Sequence, residues 1–360
     1  MTSTFVFSTI SGGYFVSQTA ILTAVLQSVD KVDAFFGNSG GAIANILSLK
    51  YSGTKESIER VLYSIDKDLF VRPWVSDNVP FYKVISPFIS LFSKSFYKES
   101  KGPKEVLEVF YTKEELRKAE VWIGKYNISA NFNNIMCTKK EGESIFNTEL
   151  QNTSQVKYLE DITGTFTVEY ADGDITKISD TLRATSAIPT YKPPVTINGI
   201  DYVDGGVASP TPGSSFTNIL SSYADRQTSG HLFRMFYVIG PKYIDVDVEN
   251  LKQEGHWSRQ VFRTLKSLLN FSIYKERQVL FDTWLGMTGK SKYDSTISHK
   301  KVNGKNELNT FLNSISSNHY FVTCYTKETK VNVTNFDKEE LKKVYKESYD
   351  NVFFEIFYTT

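Results

Sequence analysis

The 360-residue sequence predicts an α/β protein with a mostly parallel central sheet that is covered by helices. The chain opens with a strand at residues 4–10, a glycine turn, a helix at residues 15–29 and a second strand at residues 32–36. The second strand runs into Gly37-Asn38-Ser39-Gly40-Gly41, after which apolar residues recur at helical spacing. Because the two strands are joined by a helix, they are expected to pair in parallel.

Composition excludes several classes of function. The chain has 41% apolar and 22% charged residues, which is typical of a globular protein in water. A net charge of +1 provides no general attraction to nucleic acid, so no nucleic-acid partner is expected. The chain starts without a basic segment and contains no run long enough to cross a bilayer. Since Cys137 and Cys324 cannot form a disulfide framework, we expect a cytoplasmic protein that touches membranes only transiently.

The turn at residues 37–41 has the form G-x-S-x-G between a strand and a helix, which is the pattern of a nucleophile elbow. Flanking glycines allow such a turn to hold Ser39 in a strained conformation without side-chain collisions. Its hydroxyl would then stand at a helix N-terminus, where unpaired N–H groups favour negative charge. The alternative is a strand-to-helix turn with no chemistry.

Further elements follow from periodicity and capping signals. Residues 80–97 are apolar, aromatic and interrupted by Pro87, which indicates a bent core helix or a lid that enters the lipid interface. A long helix at residues 257–284 packs on the sheet or lies on a membrane. The remaining predicted elements are helices at 53–67, 104–110 and 337–351, strands at 121–123, 135–137, 165–170 and 232–239, and a strand pair or edge at 319–333.

A second chemical stretch begins with Ala184-Thr185-Ser186-Ala187-Ile188-Pro189, which is predicted to end a short helix that spans residues 181–189. A hairpin turn at Asn198-Gly199 follows, and the returning strand ends in Asp204-Gly205-Gly206. An aspartate at a strand end before two glycines is placed for function or forms an ordinary turn.

The glycine turn, the G-x-S-x-G motif, the Ala184–Pro189 segment and Asp204-Gly205-Gly206 occur in one order. This order resembles the patatin-like phospholipases, which are lipid acyl hydrolases with a Ser–Asp dyad. The resemblance covers about residues 5–240 and implies a three-layer α/β/α sandwich. It also implies that Ser39 is the nucleophile, that Asp204 is its base and that fatty acyl esters are cleaved without calcium. No cofactor or metal is therefore expected.

An oxyanion hole is expected from the backbone N–H groups of Gly12, Gly13 and Gly40, because the first glycine turn and the elbow share one sheet edge. An ordinary turn or a phosphate loop is the alternative for Gly12-Gly13, although the phosphate-loop motifs are missing. The family usually has three glycines and a nearby Arg or Lys here, whereas this chain has Ser11-Gly12-Gly13-Tyr14. Tyr14 still offers a backbone N–H.

The usual base for a serine nucleophile is a histidine, but none of the four histidines has a recognisable catalytic context. They are His231, His256, His299 and His319. An aspartate can replace histidine if a dry, apolar surrounding makes its carboxylate more basic.

We therefore expect residues 1–245 to form the catalytic core and residues 246–360 to form an extension packed on the same domain. The expected activity is cleavage of fatty acyl esters in membrane phospholipids through an acyl-enzyme. Two alternatives remain: a lysophospholipase or neutral acylglycerol lipase with the same dyad, and a non-catalytic lipid-binding or scaffolding member of the family.

Overall fold

The chain begins with the predicted βαβα unit. A computed structural model describes residues 1–11, 14–49, 53–66, 72–73, 97–98, 103–153, 159–161, 164–189, 192–241, 257–291, 293–327 and 338–360. Strand β1 (Thr2–Ser8), helix α1 (Phe15–Leu26), strand β2 (Ala34–Gly37) and helix α2 (Ser39–Ser48) follow one another. Strands β1 and β2 pair in parallel, so both end at the same edge of the sheet.

The remaining elements alternate between helices and strands. The helices are α3 (Thr54–Asp66), α4 (Pro103–Phe110), α5 (Lys113–Lys118), α6 (Asn147–Thr153), α7 (Ile175–Thr185), α8 (Thr217–Asp225), α9 (Trp257–Met287), α10 (Gly304–Ser314) and α11 (Lys338–Asp350). The strands are β3 (Arg72–Pro73), β4 (Tyr97–Lys98), β5 (Val121–Asn127), β6 (Phe132–Cys137), β7 (Leu159–Asp161), β8 (Gly164–Tyr170), β9 (Val195–Ile197), β10 (Ile200–Asp204), β11 (Leu232–Pro241), β12 (Ile297–Asn303), β13 (Tyr320–Thr326) and β14 (Phe353–Thr359).

One large sheet runs through the described part of the chain in the order β12-β14-β13-β11-β1-β2-β5-β6-β8-β7. The central neighbours β13, β11, β1, β2 and β5 pair in parallel, whereas antiparallel pairs lie toward both edges. Strand β10 pairs antiparallel with β5 and carries β9 on its other side. Helices cover both faces of this sheet, which confirms the predicted α/β class and three-layer architecture.

Successive side chains of the central strands point to opposite faces of the sheet and pack in two separate hydrophobic cores. Val6 of β1 packs among the apolar residues of α1, α2 and α11, whereas Phe5 and Phe7 point to the opposite face. On that face Phe7 stacks on Phe36 at 4.7 Å between ring centroids, and Phe216 packs against Trp122 at the same distance. Each fully buried aromatic ring of this kind contributes about 1.5–3 kcal/mol of transfer free energy.

The C-terminal third contributes more of the sheet than the sequence predicts. Strand β13 forms the first part of the strand pair or edge that was predicted at residues 319–333. It lies between β11 and β14, so the edge alternative is wrong, and residues 328–333 lie outside the described residues. Strands β12 and β14 and helix α10 were not predicted. Their apolar segments are short, and short apolar segments of a strand and of a helix look alike in sequence. The distinction depends on the neighbouring strand.

Helix α9 packs on the sheet through its C-terminal half, as predicted. Ile273, Leu280 and Trp284 are buried in the aromatic core, whereas Leu268 and Phe271 are mostly exposed. Within the described part of the chain, no helix is long and apolar enough to span a membrane. The predicted bent helix or lid at residues 80–97 lies outside the described residues except for Tyr97.

Candidate active site

Ser39 lies on a strained turn between β2 and α2. It is the first residue of α2 and adopts a left-handed backbone conformation, with φ of 53°. This conformation is uncommon for residues with a side chain and costs about 1–3 kcal/mol. Gly41 allows the turn to approach β1, because a Cβ atom there would lie 2.2 Å from the carbonyl oxygen of Ser8. The local geometry is therefore that of a nucleophile elbow.

Strand β5 brings Asp204 to this turn. Ile123 of β5 pairs with Gly37 at the end of β2, and Lys125, two residues later, pairs with Asp204 at the end of β10. The close contact requires a glycine after Asp204, because a Cβ atom at Gly205 would lie 2.4 Å from the carbonyl oxygen of Gly124. Two segments far apart in sequence thus end beside each other on a shared neighbour.

Ser39 and Asp204 lie side by side at this turn, where hydrogen bonding from the Ser39 hydroxyl favours the ionised Asp204 carboxylate and acts to lower its pKa. The N–H of Gly206 donates to Asp204 Oδ1 at 2.8 Å. The backbone N–H of Asp204 donates to the carbonyl oxygen of Ala187 at 3.1 Å, which fixes the strand end. Both side chains are almost fully buried. The pair has the arrangement that a hydroxyl nucleophile and its base require.

Burial makes Asp204 an unusually strong base for a carboxylate. Loss of hydration raises the pKa of Asp204 to about 7, although the hydrogen bonds from Ser39 and Gly206 and the charge of Lys192 act in the opposite direction. A group with a pKa near the working pH is well suited to take up a proton from a hydroxyl and return it. The dry surrounding that the sequence argument required is therefore present.

Two polar side chains hold the elbow, and the sequence did not single out either of them for this role. Thr185 Oγ1 accepts a hydrogen bond from the backbone N–H of Ser39 at 2.9 Å. Asn38 Oδ1 accepts from the N–H of Gly124 at 3.0 Å, and Asn38 Nδ2 donates to the carbonyl oxygen of Ser209 at 2.7 Å. Both contacts join segments that are distant in sequence. The only available signal was that both residues lie inside the motifs that carry the family resemblance.

The expected oxyanion hole is described only in part. Gly12 and Gly13 lie outside the described residues. Gly40 is in the first turn of α2, where backbone N–H groups have no acceptor within the helix. The N–H of Tyr14 donates to the carbonyl oxygen of Ser11 at 3.0 Å, so the suggestion that Tyr14 offers a donor to the site is wrong in this conformation.

The side chain of Gln18 anchors the start of this first turn to α1. Gln18 Oε1 accepts from Ser11 Oγ at 2.6 Å, and Gln18 Nε2 donates to the carbonyl oxygen of Thr9 at 2.9 Å. These bonds fix two residues that follow the end of β1 to helix α1. Helix α1 therefore holds the chain in place just before the glycine turn that was expected to supply oxyanion donors.

The described histidines lie away from Ser39 and Asp204. His231 Nε2 lies 2.8 Å from Ser3 Oγ at the start of β1, and His319 Nδ1 accepts from the backbone N–H of Phe233. His299 is on the edge strand β12 beside Glu355. These contacts agree with the lack of a catalytic context for the three histidines in the sequence, and His256 lies outside the described residues.

Lys192 is a further buried charge at this site that the sequence argument missed. Its side chain is only 8% exposed, and Nζ donates to Ser186 Oγ at 3.2 Å. Burial lowers the pKa of Lys192 to about 7, and the opposite charge of Asp204 acts against this effect. No local pattern in the sequence marks a lysine between Tyr191 and two prolines as buried.

A family model places the chain among known proteins. The model described as patatin-like phospholipase matches residues 10–216, a range that contains Ser39, Asp204 and all three expected oxyanion glycines. The chain belongs to the patatin-like phospholipase family. Patatin-like proteins are generally hydrolases that act on lipid acyl groups, so the family supports that general class of activity.

The other comparisons add little to this assignment. VipD from Legionella pneumophila, known from a crystal structure, is 12% identical to this chain, with a TM-score of 0.33. The matched region covers 96% of this chain and 66% of VipD, so this patatin-like chain spans slightly less than two thirds of that protein. A comparison with curated proteins gives no significant match.

Proposed function

We propose that this protein is a serine acyl hydrolase in which Ser39 and Asp204 form a catalytic dyad. The observation that carries the proposal is the position of Ser39, on a left-handed turn at the start of a helix, beside the buried Asp204 carboxylate. A structural serine needs neither the strained backbone nor a buried carboxylate partner. Family membership supports the same reading.

In the first step Ser39 Oγ attacks the carbonyl carbon of an acyl ester while its proton passes to Asp204. The carbonyl oxygen takes up negative charge, and the N–H groups of Gly40, Gly12 and Gly13 are the proposed donors to it. The tetrahedral intermediate collapses with cleavage of the bond to the leaving alcohol, which receives the proton from Asp204. The fatty acyl group is then an ester of Ser39.

In the second step water replaces the alcohol. Asp204 accepts a proton from the water molecule, whose oxygen attacks the acyl carbon, and Ser39 leaves with that proton. The fatty acid is released, and the starting state of the dyad is restored. Each half-reaction therefore uses Asp204 first as a base and then as an acid, which suits a pKa near 7.

We propose membrane phospholipids as the substrates, which the enzyme meets by transient association with the membrane surface and cleaves without calcium. The family description supports this substrate class over other esters. Lysophospholipids and neutral acylglycerols remain alternatives, because the same dyad chemistry acts on any fatty acyl ester. A non-catalytic lipid-binding role is the second candidate, since the first glycine turn departs from the family pattern at Ser11 and Tyr14.

Fatty-acid release from mixed phospholipid vesicles in the presence of EDTA tests this function. The wild type is compared with Ser39→Ala and Asp204→Asn, and circular dichroism confirms that each variant is folded. Micelles of lysophospholipid and emulsions of acylglycerol provide the competing substrates. We expect release from phospholipid by the wild type alone, and a loss of at least about a thousandfold in the two variants.

Other outcomes separate the alternatives. If the wild type releases fatty acid faster from lysophospholipid or acylglycerol than from phospholipid, the proposed dyad stands and the proposed substrate is wrong. If none of the three proteins releases fatty acid from any substrate while all still bind vesicles, the catalytic proposal is contradicted and the lipid-binding role is favoured.

A further inference from the structure

Lys192 is held inside the protein by a short segment that leads to the active site. Its backbone N–H donates to the carbonyl oxygen of Ile188 at 3.0 Å, and its ammonium donates to Ser186 Oγ at 3.2 Å. Ser186 Oγ in turn donates to the carbonyl oxygen of Arg183 at 3.1 Å. The ammonium is therefore fixed relative to the C-terminal end of α7 and does not reach into solvent, which is the usual place for a lysine.

The residue that Lys192 contacts lies between the two contacts that position the dyad. Thr185 precedes Ser186, and its Oγ1 accepts a hydrogen bond from the backbone N–H of Ser39. Ala187 follows Ser186, and its carbonyl oxygen accepts a hydrogen bond from the backbone N–H of Asp204. Three consecutive residues thus touch the nucleophile, the buried lysine and the base. This geometry ties the position of the ammonium to both halves of the dyad.

Charge also couples Lys192 to Asp204. Burial disfavours the ionised form of each group, and the attraction between the two opposite charges favours both ionised forms together. The Asp204 carboxylate must be ionised to accept the hydroxyl proton, yet burial on its own favours the protonated acid. The positive charge of Lys192 acts against that tendency.

Two pairs of opposite charges lie on the elements that pack around β10. Lys125 of β5, the register neighbour of Asp204, forms an ion pair with Glu169 of β8 and is also attracted by Asp180. Asp180 pairs with Arg183 on α7 at 2.8 Å. Helix α2 carries no charged side chain, and the ring of Tyr202 lies below the Lys125 ammonium. The charge of Lys192, in contrast, favours the ionised form of Asp204.

We propose that Lys192 is a positioning residue for the dyad, whose buried ammonium keeps Asp204 ionised and so extends activity to lower pH. The inference rests on the proposed function, because it assigns Lys192 to the same dyad. Lys192 itself forms no bond to the substrate in this proposal. Its effect is electrostatic and passes through Asp204.

The test compares pH profiles of kcat/KM for a water-soluble short-chain ester. Lys192→Met removes the charge, Lys192→Gln removes the charge but keeps a donor for Ser186, and Lys192→Arg keeps the charge. Lys125→Met is the matched control, because Lys125 is an equally buried lysine whose ion-pair partner is Glu169. We expect the acidic limb to move to higher pH by about one pH unit or more in the two neutral variants.

The expected loss is therefore about tenfold at pH 6 and less than twofold at pH 9, where Asp204 is ionised without help. Lys192→Arg and Lys125→Met keep the wild-type profile. An unmoved acidic limb in both neutral variants, or an equal loss at every pH, overturns the proposal. Failure of both neutral variants to fold, with Lys192→Arg folded, assigns a structural role and also overturns it.

A second readout is independent of activity. The titration of the Asp204 carboxyl group can be followed by infrared difference spectra between each protein and its own Asp204→Asn counterpart. We expect the carboxyl band to persist to higher pH in Lys192→Met than in the wild type. If the wild type proves inactive, the proposed function fails, while this titration still decides whether Lys192 controls the ionisation of Asp204. Identical titrations would contradict the inference.

Discussion

The left-handed conformation of Ser39 is kept in place by contacts from outside its own turn. The N–H of Ser39 donates to Thr185 Oγ1, and Thr185 is fully buried at the end of α7. Removal of that acceptor would leave a buried N–H group without a partner, which costs about 1–3 kcal/mol. The backbone of the elbow would then relax and displace the nucleophile.

Thr185→Val tests this support, because valine has nearly the shape of threonine but no hydroxyl. We expect the free energy of unfolding to fall by about 1–3 kcal/mol and kcat/KM to fall by about tenfold or more, since small misplacements of reacting groups are costly. Thr185→Ser keeps the acceptor and serves as the control. Chemical denaturation and ester hydrolysis measure the two effects. Wild-type activity in folded Thr185→Val would contradict the assigned role.

The pKa of Asp204 links activity and stability to pH in opposite directions. Burial raises the pKa of this group from 3.8 to about 7 in the folded protein. The proposed mechanism uses the carboxylate, so we expect kcat/KM to fall as pH decreases through about 7. The folded state binds the proton more tightly than the unfolded state, so ionisation of Asp204 lowers stability as pH rises from about 4 to 7.

Asp204→Asn should therefore abolish activity and increase stability at pH 8. We expect its free energy of unfolding to exceed that of the wild type by roughly 1–3 kcal/mol at pH 8, with a smaller difference at pH 4. Urea unfolding at the two pH values measures this. A variant that is less stable than the wild type at pH 8 would show that Asp204 supports the fold.

At the level of single residues, the sequence predicted the two reacting groups and missed their supports. Ser39 and Asp204 each stand in a motif with its own local signature, and the structure brings them together. Asn38, Thr185 and Lys192 act across elements, and such contacts depend on the packing of α7 and β5, which local patterns do not contain. The roles of Ser39 and Asp204 in catalysis remain predictions.

At the level of elements, the approach of β10 to β5 depends on Gly205. A Cβ atom there would meet the carbonyl oxygen of Gly124 at 2.4 Å and Asn38 Oδ1 at 2.9 Å. The first of these is backbone and cannot rotate away. An added methyl group must therefore push the end of β10, which carries Asp204, away from the elbow.

Gly205→Ala should consequently impair both stability and activity. We expect a loss of about 1–3 kcal/mol in the free energy of unfolding and a loss of activity larger than tenfold. Gly286→Ala is the matched control, because a Cβ atom at Gly286 on α9 meets nothing within 4 Å. Thermal unfolding and ester hydrolysis measure the pair. Equal behaviour of the two variants would contradict the tight approach.

Elements with local signals were easier to predict than elements defined by their neighbours. The Asn198-Gly199 turn joins β9 and β10 as predicted, and Thr112 and Glu115 form a capping box at the start of α5, a pattern that the local sequence contains. Helix α7 spans Ile175–Thr185 and begins at the Asp174 cap, so the predicted helix at 181–189 was too late at both ends. The side chain of Asp174 accepts hydrogen bonds from two backbone N–H groups and so marks the start of the helix. The prediction relied on Pro189 as the helix end and did not use this cap.

At the scale of the whole molecule, the ends of the chain meet in one sheet. Strand β11 pairs with β1 on one side and with β13 on the other. Helix α9 covers the aromatic face with Leu280 and Trp284, both fully buried. We therefore propose that residues 246–360 complete the same domain that residues 1–245 begin.

A chain truncated after residue 245 tests this division. We expect it to aggregate, because it lacks the strand that pairs with β11 and the helix that covers the aromatic face. Size-exclusion chromatography and thermal unfolding, beside the full chain, measure this. A soluble monomer with cooperative unfolding would show that residues 1–245 fold alone.

Much of this architecture was predictable, because the opening βαβα unit contains the reason for a parallel sheet. The pairing of the C-terminal strands was not predictable, because it depends on neighbouring strands: β13 pairs with β11, β14 pairs with β13, and β12 pairs with β14. Residues 328–337, part of the predicted strand pair, lie outside the described residues. The pairing of strands that are far apart in the chain is difficult to predict from a single sequence.

Covalent labelling of Ser39 tests the central claim most directly. The wild type, Ser39→Ala and Asp204→Asn are incubated with a fluorophosphonate at pH 8, and the adduct is located by peptide mass spectrometry. We predict a single adduct on Ser39 in the wild type, none at that position in Ser39→Ala and labelling slowed by at least about a hundredfold in Asp204→Asn. Equal labelling of the wild type and Asp204→Asn, or no adduct on Ser39 in the folded wild type, would contradict the dyad.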